Sequence, residues 1–494
     1  MTTSISSAEA NALVSQSAET LAPKTSSVSG FRAKHSLASR FLFLNLSVAI
    51  VLTALAFGTV HYWALALFSL GAAVTIILWV VDAWELRTFR LSKNLLQAPL
   101  LGMLALGLVQ LLPLRNPPAT GALAMDAVKT LSLDPYSTRF VMMQVAALLI
   151  YFAATLVFTD TPHRLRLLVR TITIFGFFLA IFGLTQSFTS PTKVYWFREL
   201  TQSTAFGPFI NRHHFAGYME LTIALPLGLL FSGSVERDKR FIYIFAAGLM
   251  GLALIITNSR GGIIALGAEL LFLAVVGGIG RRRKKREGPE KDRRVRGRAV
   301  RAALALTLIV GLFAGLVWLG GESALNRLVG SVNMEDPTTG RAHFWDVTMD
   351  IIKANPIIGT GLGAFAVVYT RYDSRNGLFR LEQAHNDYLQ ILSDGGIVGA
   401  ALGLFFVFML FRMGFARRES SDDFRSGVAL GALAGCFAVL VHSFFDFTLH
   451  TTSNALLFLV LAALATMNGR VEQPQSRRRR RRRHGDSDPI MISP

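Results

Sequence analysis

Apolar runs of roughly 17–21 residues recur along the whole chain, each long enough to cross a hydrocarbon layer about 30 Å thick. Soluble helices carry a polar face, and a dozen apolar helices without amphipathic partners could not cover one another in water. The sequence therefore predicts an all-α polytopic membrane protein. Twelve spans are expected, at 41–57, 62–81, 95–113, 140–158, 171–188, 215–231, 241–257, 262–280, 302–319, 397–415, 426–445 and 454–468. Hydrophobic residues make up 52% of the 494, and charged residues only 16%, which agrees with that class.

The connections alternate in charge. One set is basic: "ELRTFRLSK" at 85–93, "HRLRLLVR" at 163–170, "ERDKR" at 236–240, the insert 281–298, "ARRESSDDFR" at 416–425, and Arg477–Arg483. The other set is poorer in positive charge, and its longest member, 320–396, has six Lys/Arg against nine Asp/Glu. The positive-inside rule puts the basic set in the cytoplasm, together with both termini. The net charge of +19 is then a topology signal that also suits membrane lipids, and no nucleic-acid partner is expected. Residues 1–40, rich in Ser, Ala and Thr, read as a disordered cytoplasmic tail without a signal-peptide core. Spans one to nine occupy 41–319, the periplasmic loop 320–396, spans ten to twelve 397–468, and a basic tail 469–494. Cys436 is the single cysteine, so no intrachain disulfide can form.

A loop of that length is more than a connector. Within it, "GRAHFWDVTMDIIKANP" at 340–356 predicts a helix with Phe344, Val347 and Ile351 on one face, capped by Thr338 or Thr339 and stopped by Pro356. Gly359, Gly361 and Gly363 predict a tight turn. A second helix is expected over "LEQAHNDYLQILSDGG", 381–396, with His385 and Asn386 on it. Three more polar segments lie at outer span ends: "INRHHFAGY" from 210, "TNSRGG" from 257, and "VHSFFDFTLHTTSN" from 441. Ionisable groups at membrane depth are costly, which makes Arg212, Arg260 and Asp446 candidates for function. His213 and His214 read better as interfacial anchors, and Arg341 could also stack on Trp345. Arginine suits phosphate, and histidine can act as a base near neutral pH. Acidic clusters fit for Mg²⁺ are confined to basic, cytoplasmic segments. A phosphate donor reached from the outer face and embedded in lipid would be a polyprenyl-diphosphate sugar, neutralised by arginine.

These segments resemble the O-antigen ligase and polymerase superfamily of bacterial envelopes, over about 205–465 and most strongly over 340–399. The resemblance implies a metal-independent, inverting glycosyltransferase of the bacterial inner membrane that needs no cofactor. Its donor would be an undecaprenyl-diphosphate-linked glycan. Its acceptor would be a saccharide hydroxyl, on lipid A core or on another lipid-linked glycan. Carried onto this chain, Arg260 and Arg341 would bind the diphosphate and His385 would activate the acceptor. Arg212 would join them at the diphosphate, Asn386 would fix the imidazole or the sugar, and Asp446 would orient His385 or the acceptor. A transporter or flippase for the same lipid-linked saccharide is the competing expectation. It predicts charges near mid-membrane and symmetric broken helices.

Overall fold

The computed structural model describes residues 35–115, 129–200, 204–279, 341–374, 381–418, 420 and 422–467. Among them are thirteen α-helices: α1 Leu37–Leu55, α2 Tyr62–Leu86, α3 Gln97–Gln110, α4 Pro135–Phe158, α5 Pro162–Thr189, α6 Arg212–Ser232, α7 Arg240–Ile256, α8 Arg260–Ile279, α9 Arg341–Ala354, α10 Phe365–Tyr372, α11 Asp387–Arg417, α12 Asp423–His442 and α13 Thr452–Thr466. A two-residue hairpin, β1 Lys193–Val194 with β2 Arg198–Glu199, follows α5. Nine helical segments among the described residues are long and apolar enough to cross a membrane, and α3 and α13 are shorter apolar helices. The chain is a multi-pass membrane protein. Expected span nine (302–319), the insert 281–301, the caps Thr338 and Thr339, residues 1–34 and the basic tail lie outside the described residues, while residues 37–40 of the expected disordered tail already belong to α1.

Helix starts follow local chemistry. Ser36, Asp134, Thr161, Asn211, Asn386 and Asp422 each accept a backbone N–H from the first turn of the helix they cap. Pro135 and Pro162 occupy first positions, where no N–H bond is lost. The bundle centres on α6, α12 and α13. Gly228 and Gly431 let α6 and α12 approach so closely that a methyl on Gly228 would stand 2.3 Å from the Gly431 Cα. Every residue of α13 is buried, which is why a helix apolar all round suits this place. Leu67 and Ile77 on α2 and Leu404 and Phe408 on α11 stay exposed on the rim, as lipid-facing residues do.

Consecutive helices run in alternating directions, so one end of the bundle gathers the starts of α6, α8, α11 and α13 and the ends of α7 and α12. At this end Thr452 donates to the Thr59 carbonyl at 3.1 Å. At the other, Asn94 donates to Thr466 at 2.8 Å.

A small second core caps the first end. Val347 and Ile351 of α9 meet Leu133, Phe365, Val368, Tyr369 and Ala384, with Phe344 packed alongside. The expected apolar face of α9 is the one that packs. The helix expected over 381–396 starts only at Asp387, and continues past a break at Gly396 (φ 61, ψ −160) into the following span. Gly396 sits at the expected border between loop and span. The glycine segment crosses this break. Ile397 and Val398 donate to the carbonyls of Pro356 and Ile357, while Thr360 and Gly361 donate to Ser393 and Asp394. A methyl on Gly359 would fall 2.4 Å from the Asp394 backbone, and one on Gly396 2.4 Å from the Ile357 carbonyl oxygen. Buried Gln110 of α3 donates to the carbonyls of Ile358 and Asp394 and accepts from the Leu362 N–H. The cap domain is thereby laced to α11 through backbone bonds.

Candidate active site

Arg212 and Arg260 are the first residues of α6 and α8, Asn386 caps α11, and Arg341 lies on α9. Helix N-termini carry unsatisfied N–H groups and partial positive charge, so this end of the bundle favours anions before any side chain is counted. Asp446 lies among them, in the turn after α12, and only 1% of its side chain is exposed.

Three cationic or protonatable side chains face that carboxylate. His385 Nδ1 lies 3.3 Å from Asp446 Oδ1, Arg341 Nη2 3.6 Å from Oδ2, and His213 Nδ1 3.7 Å from Oδ2. The Phe447 N–H also donates to Oδ1, at 2.9 Å. Burial alone would raise the Asp446 carboxyl. The hydrogen bond from His385 and the nearby His213, His385 and His214 overcome it, and hold the group well below the usual carboxylate range. Asp446 is therefore an anion at neutral pH and accepts from Nδ1, which leaves His385 Nε2 as the basic nitrogen.

The His385 backbone is left-handed (φ 51), because the chain turns here before entering α11. The imidazole meets Phe447 edge-on at 4.9 Å between centroids and stacks near Phe344 at 6.2 Å. Its side chain stays 27% exposed, enough to present one face outward. Asn386 holds this turn. Its Oδ1 accepts from the N–H groups of Tyr388 and Leu389, and its Nδ2 donates to the Phe444 carbonyl. These bonds all run to backbone, which makes Asn386 a support for His385.

Arg341 points to Asp446. Arg260 is exposed at the head of α8, next to Ser259, whose hydroxyl is 2.8 Å from His213 Nδ1. Arg212 precedes His213 and, with Arg341, acts electrostatically on it. The structure brings His385, Arg341 and Asp446 into direct contact and puts Arg212 and Arg260 on helix ends that flank them.

Two pairs were not read from sequence. Asp387 accepts from Ser443 Oγ at 2.7 Å and pairs with His450 Nδ1 at 2.7 Å. Burial pulls the His450 imidazole down, but its bond to Asp387 and the charges of Asp387 and Asp394 win and raise it above the ordinary 6.5. Glu220, inside α6, pairs with His442 Nδ1 at 2.8 Å, and both side chains are fully buried. A lone glutamate in an apolar span was the available signal for this second pair. Glu269 of α8 is also buried.

Residues 245–404, about a third of the chain, match a family model described as O-antigen ligase. Over this segment the chain is similar to the O-antigen ligase-like superfamily. No curated protein matches the chain significantly. The O-antigen ligase segment includes Arg260, Arg341 and His385, while Asp446 and Arg212 fall beyond it and join the site through the fold. The match supports a glycosyltransferase-like enzyme acting on lipid-linked glycan and saccharide substrates in general.

Proposed function

We propose that this site transfers a glycan from an undecaprenyl-diphosphate carrier to a saccharide hydroxyl, at the periplasmic face of the inner membrane and with inversion at the anomeric carbon. The observation that carries the reading is the shared carboxylate: Asp446 faces His385 through one oxygen and Arg341 through the other. The donor's diphosphate binds Arg341 together with Arg260 and Arg212, which lie at helix N-termini suited to anions. His385 Nε2 takes the proton of the acceptor hydroxyl as its oxygen attacks the anomeric carbon. The bond to the diphosphate oxygen breaks with its electron pair, and the guanidinium groups stabilise that charge. Asp446 holds the imidazole in its Nδ1–H tautomer and steadies the imidazolium. Asn386 keeps the turn in place. A single in-line displacement inverts the centre, whereas retention would need a second carboxylate as nucleophile.

Arginine in the place of Mg²⁺ makes the transfer metal-independent. The group among the described residues with metal-ligating geometry, His213, His442 and Asp446, is imidazole-rich, whereas Mg²⁺ on a diphosphate wants oxygen ligands.

The test is transfer from authentic lipid-linked donor in chelator. Wild type should turn over and release undecaprenyl diphosphate, and His385→Ala should lose about 10²–10⁴ in rate, the usual worth of a general base. Product length separates single ligation from polymerisation. Full activity in His385→Ala would sink the assignment. Buried Glu220 and Glu269 within spans favour, as a second reading, a carrier for the lipid-linked saccharide. Movement of labelled donor across proteoliposomes without any new glycosidic bond would establish that reading instead.

A further inference from the structure

His442 has no part in the transfer proposed above, yet it is among the most tightly held groups in the molecule. Its Nδ1 is fixed by Glu220 Oε1 at 2.8 Å, and both side chains are fully buried. Its Nε2 is buried with no hydrogen-bond partner, and so is Asp446 Oδ2. Asp446 Oδ2 meets Arg341 and His213 only at ion-pair range, and a buried nitrogen left without a hydrogen bond is costly unless something else meets it. Nε2 faces the head of α8, where a methyl on Gly261 would stand 3.0 Å from it. At the same place Ser259 Oγ holds His213 Nδ1 at 2.8 Å, and that nitrogen is 3.7 Å from Asp446 Oδ2. One ligand atom from each of His213, His442 and Asp446 lies within 4.8 Å of the others.

The three ligand atoms are close enough to converge on one metal ion. A carboxylate on the far nitrogen of a ligating imidazole fixes its orientation and raises its basicity, which is what Glu220 does for His442. Two imidazoles and one carboxylate suit Zn²⁺ and its first-row neighbours, and three protein ligands leave a position for water. His213, 23% exposed, is on the route by which an ion would enter.

We propose that His213, His442 and Asp446 form a binding site for a divalent transition metal of the Zn²⁺ class, and that occupancy inhibits the enzyme. Only the inhibitory part rests on the proposed transfer. Arg341 Nη2 stands 3.6 Å from the same Asp446 oxygen that would ligate the ion. A dication on that oxygen repels the guanidinium and pulls the carboxylate from its place under His385. The base loses its orienting partner and the diphosphate loses an arginine.

Binding and inhibition are read separately. Tag-free protein in detergent is titrated with Co²⁺ by visible absorption and with Zn²⁺ by calorimetry. One saturable equivalent is expected, with affinity reduced at least tenfold in His213→Gln and in His442→Gln. His213 is at the solvent edge, so its variant tests the site even where His442→Gln fails to fold. The absence of a saturable equivalent, or unchanged affinity in the folded variants, overturns the site. In the transfer assay, Zn²⁺ at saturation should slow wild type at least tenfold and chelator should restore it, while His213→Gln should lose most of that sensitivity. Binding without inhibition overturns the regulatory role. An enzyme inert in chelator and active with Zn²⁺ overturns both inhibition and metal-independent transfer, with the binding result standing apart.

Discussion

At the end of the bundle away from His385, Arg90 reaches Asp82 at 2.8 Å and Asp160 at 2.9 Å, and Arg164 reaches Asp160 at 3.4 Å. Arg164 also donates to the Phe158 carbonyl and to the carbonyl and hydroxyl of Ser39. Two guanidinium groups meet two carboxylates, and the bonds are mostly short. At the site end one carboxylate serves His385, His213 and Arg341, at 3.3–3.7 Å. The first cluster neutralises itself and ties α1, α2 and α5 together. The second shares one carboxylate among a guanidinium and two imidazoles and is loosely drawn, with polar atoms still to be met. A matched network of this kind holds a fold. An over-subscribed one has room for an incoming anion, and such contacts tighten when substrate arrives.

Arg90→Ala should break the matched network at its centre. It leaves Asp82, 1% exposed, without its cation, and removal of one partner from a buried pair costs about 3–5 kcal/mol. Thermal unfolding in detergent should show that loss, while transfer per folded molecule stays near wild type. A large fall in specific activity would erase the contrast between the two ends. Asp446→Asn should do the reverse. Transfer should drop about 100-fold, roughly 2.7 kcal/mol of barrier, with a smaller effect on unfolding than Arg90→Ala has. Equal effects of the two variants on stability would make Asp446 another structural anchor.

Asn386→Ala removes a helix cap, worth about 1 kcal/mol, and loosens the turn that carries His385. Its signature should be a fall in kcat larger than any rise in KM, since its side-chain bonds all run to the backbone beside His385. The smallest expected effect is in pH. The His450 imidazole is raised above its ordinary 6.5 by Asp387, so its stabilising contribution is fully present below about 6.5 and is lost as pH rises through the higher folded value. The unfolding temperature should decline on the alkaline side, and His450→Asn should flatten that decline. Parallel profiles for the two proteins would remove His450 from the account.

The spans were legible because bilayer thickness dictates their length, and α9 was legible because Phe344, Val347 and Ile351 repeat at helical spacing. His385, Arg341 and Asp446 stood out as ionisable residues in segments that had to lie at one face. The expectation that Asp446 orients His385 came only from the resemblance, because the two are 61 residues apart and only folding fixes the geometry of their contact. The Glu220–His442 pair spans 222 residues and was invisible. The start of α11 was misjudged because apolar periodicity extends upstream of Asp387, whereas the Asn386 cap and the left-handed turn at His385 stop the helix there. Gly359 was readable as a turn residue, and Gly396 as the end of a helix. That they cross each other, backbone against backbone, depends on two segments whose sequences carry no mark of the meeting.

The position of Asp446 has a consequence for the chain during its own synthesis. Arg212, Arg260, Arg341 and His385 leave the ribosome in that order, and Asp446 follows after roughly nine-tenths of the 494 residues have been made. Helices inserted earlier hold arginines but lack the one carboxylate that arranges them. A nascent copy that stops short of it holds those arginines without Asp446 beside His385. On the proposed transfer, competence arrives late and at once, with the turn between α12 and α13.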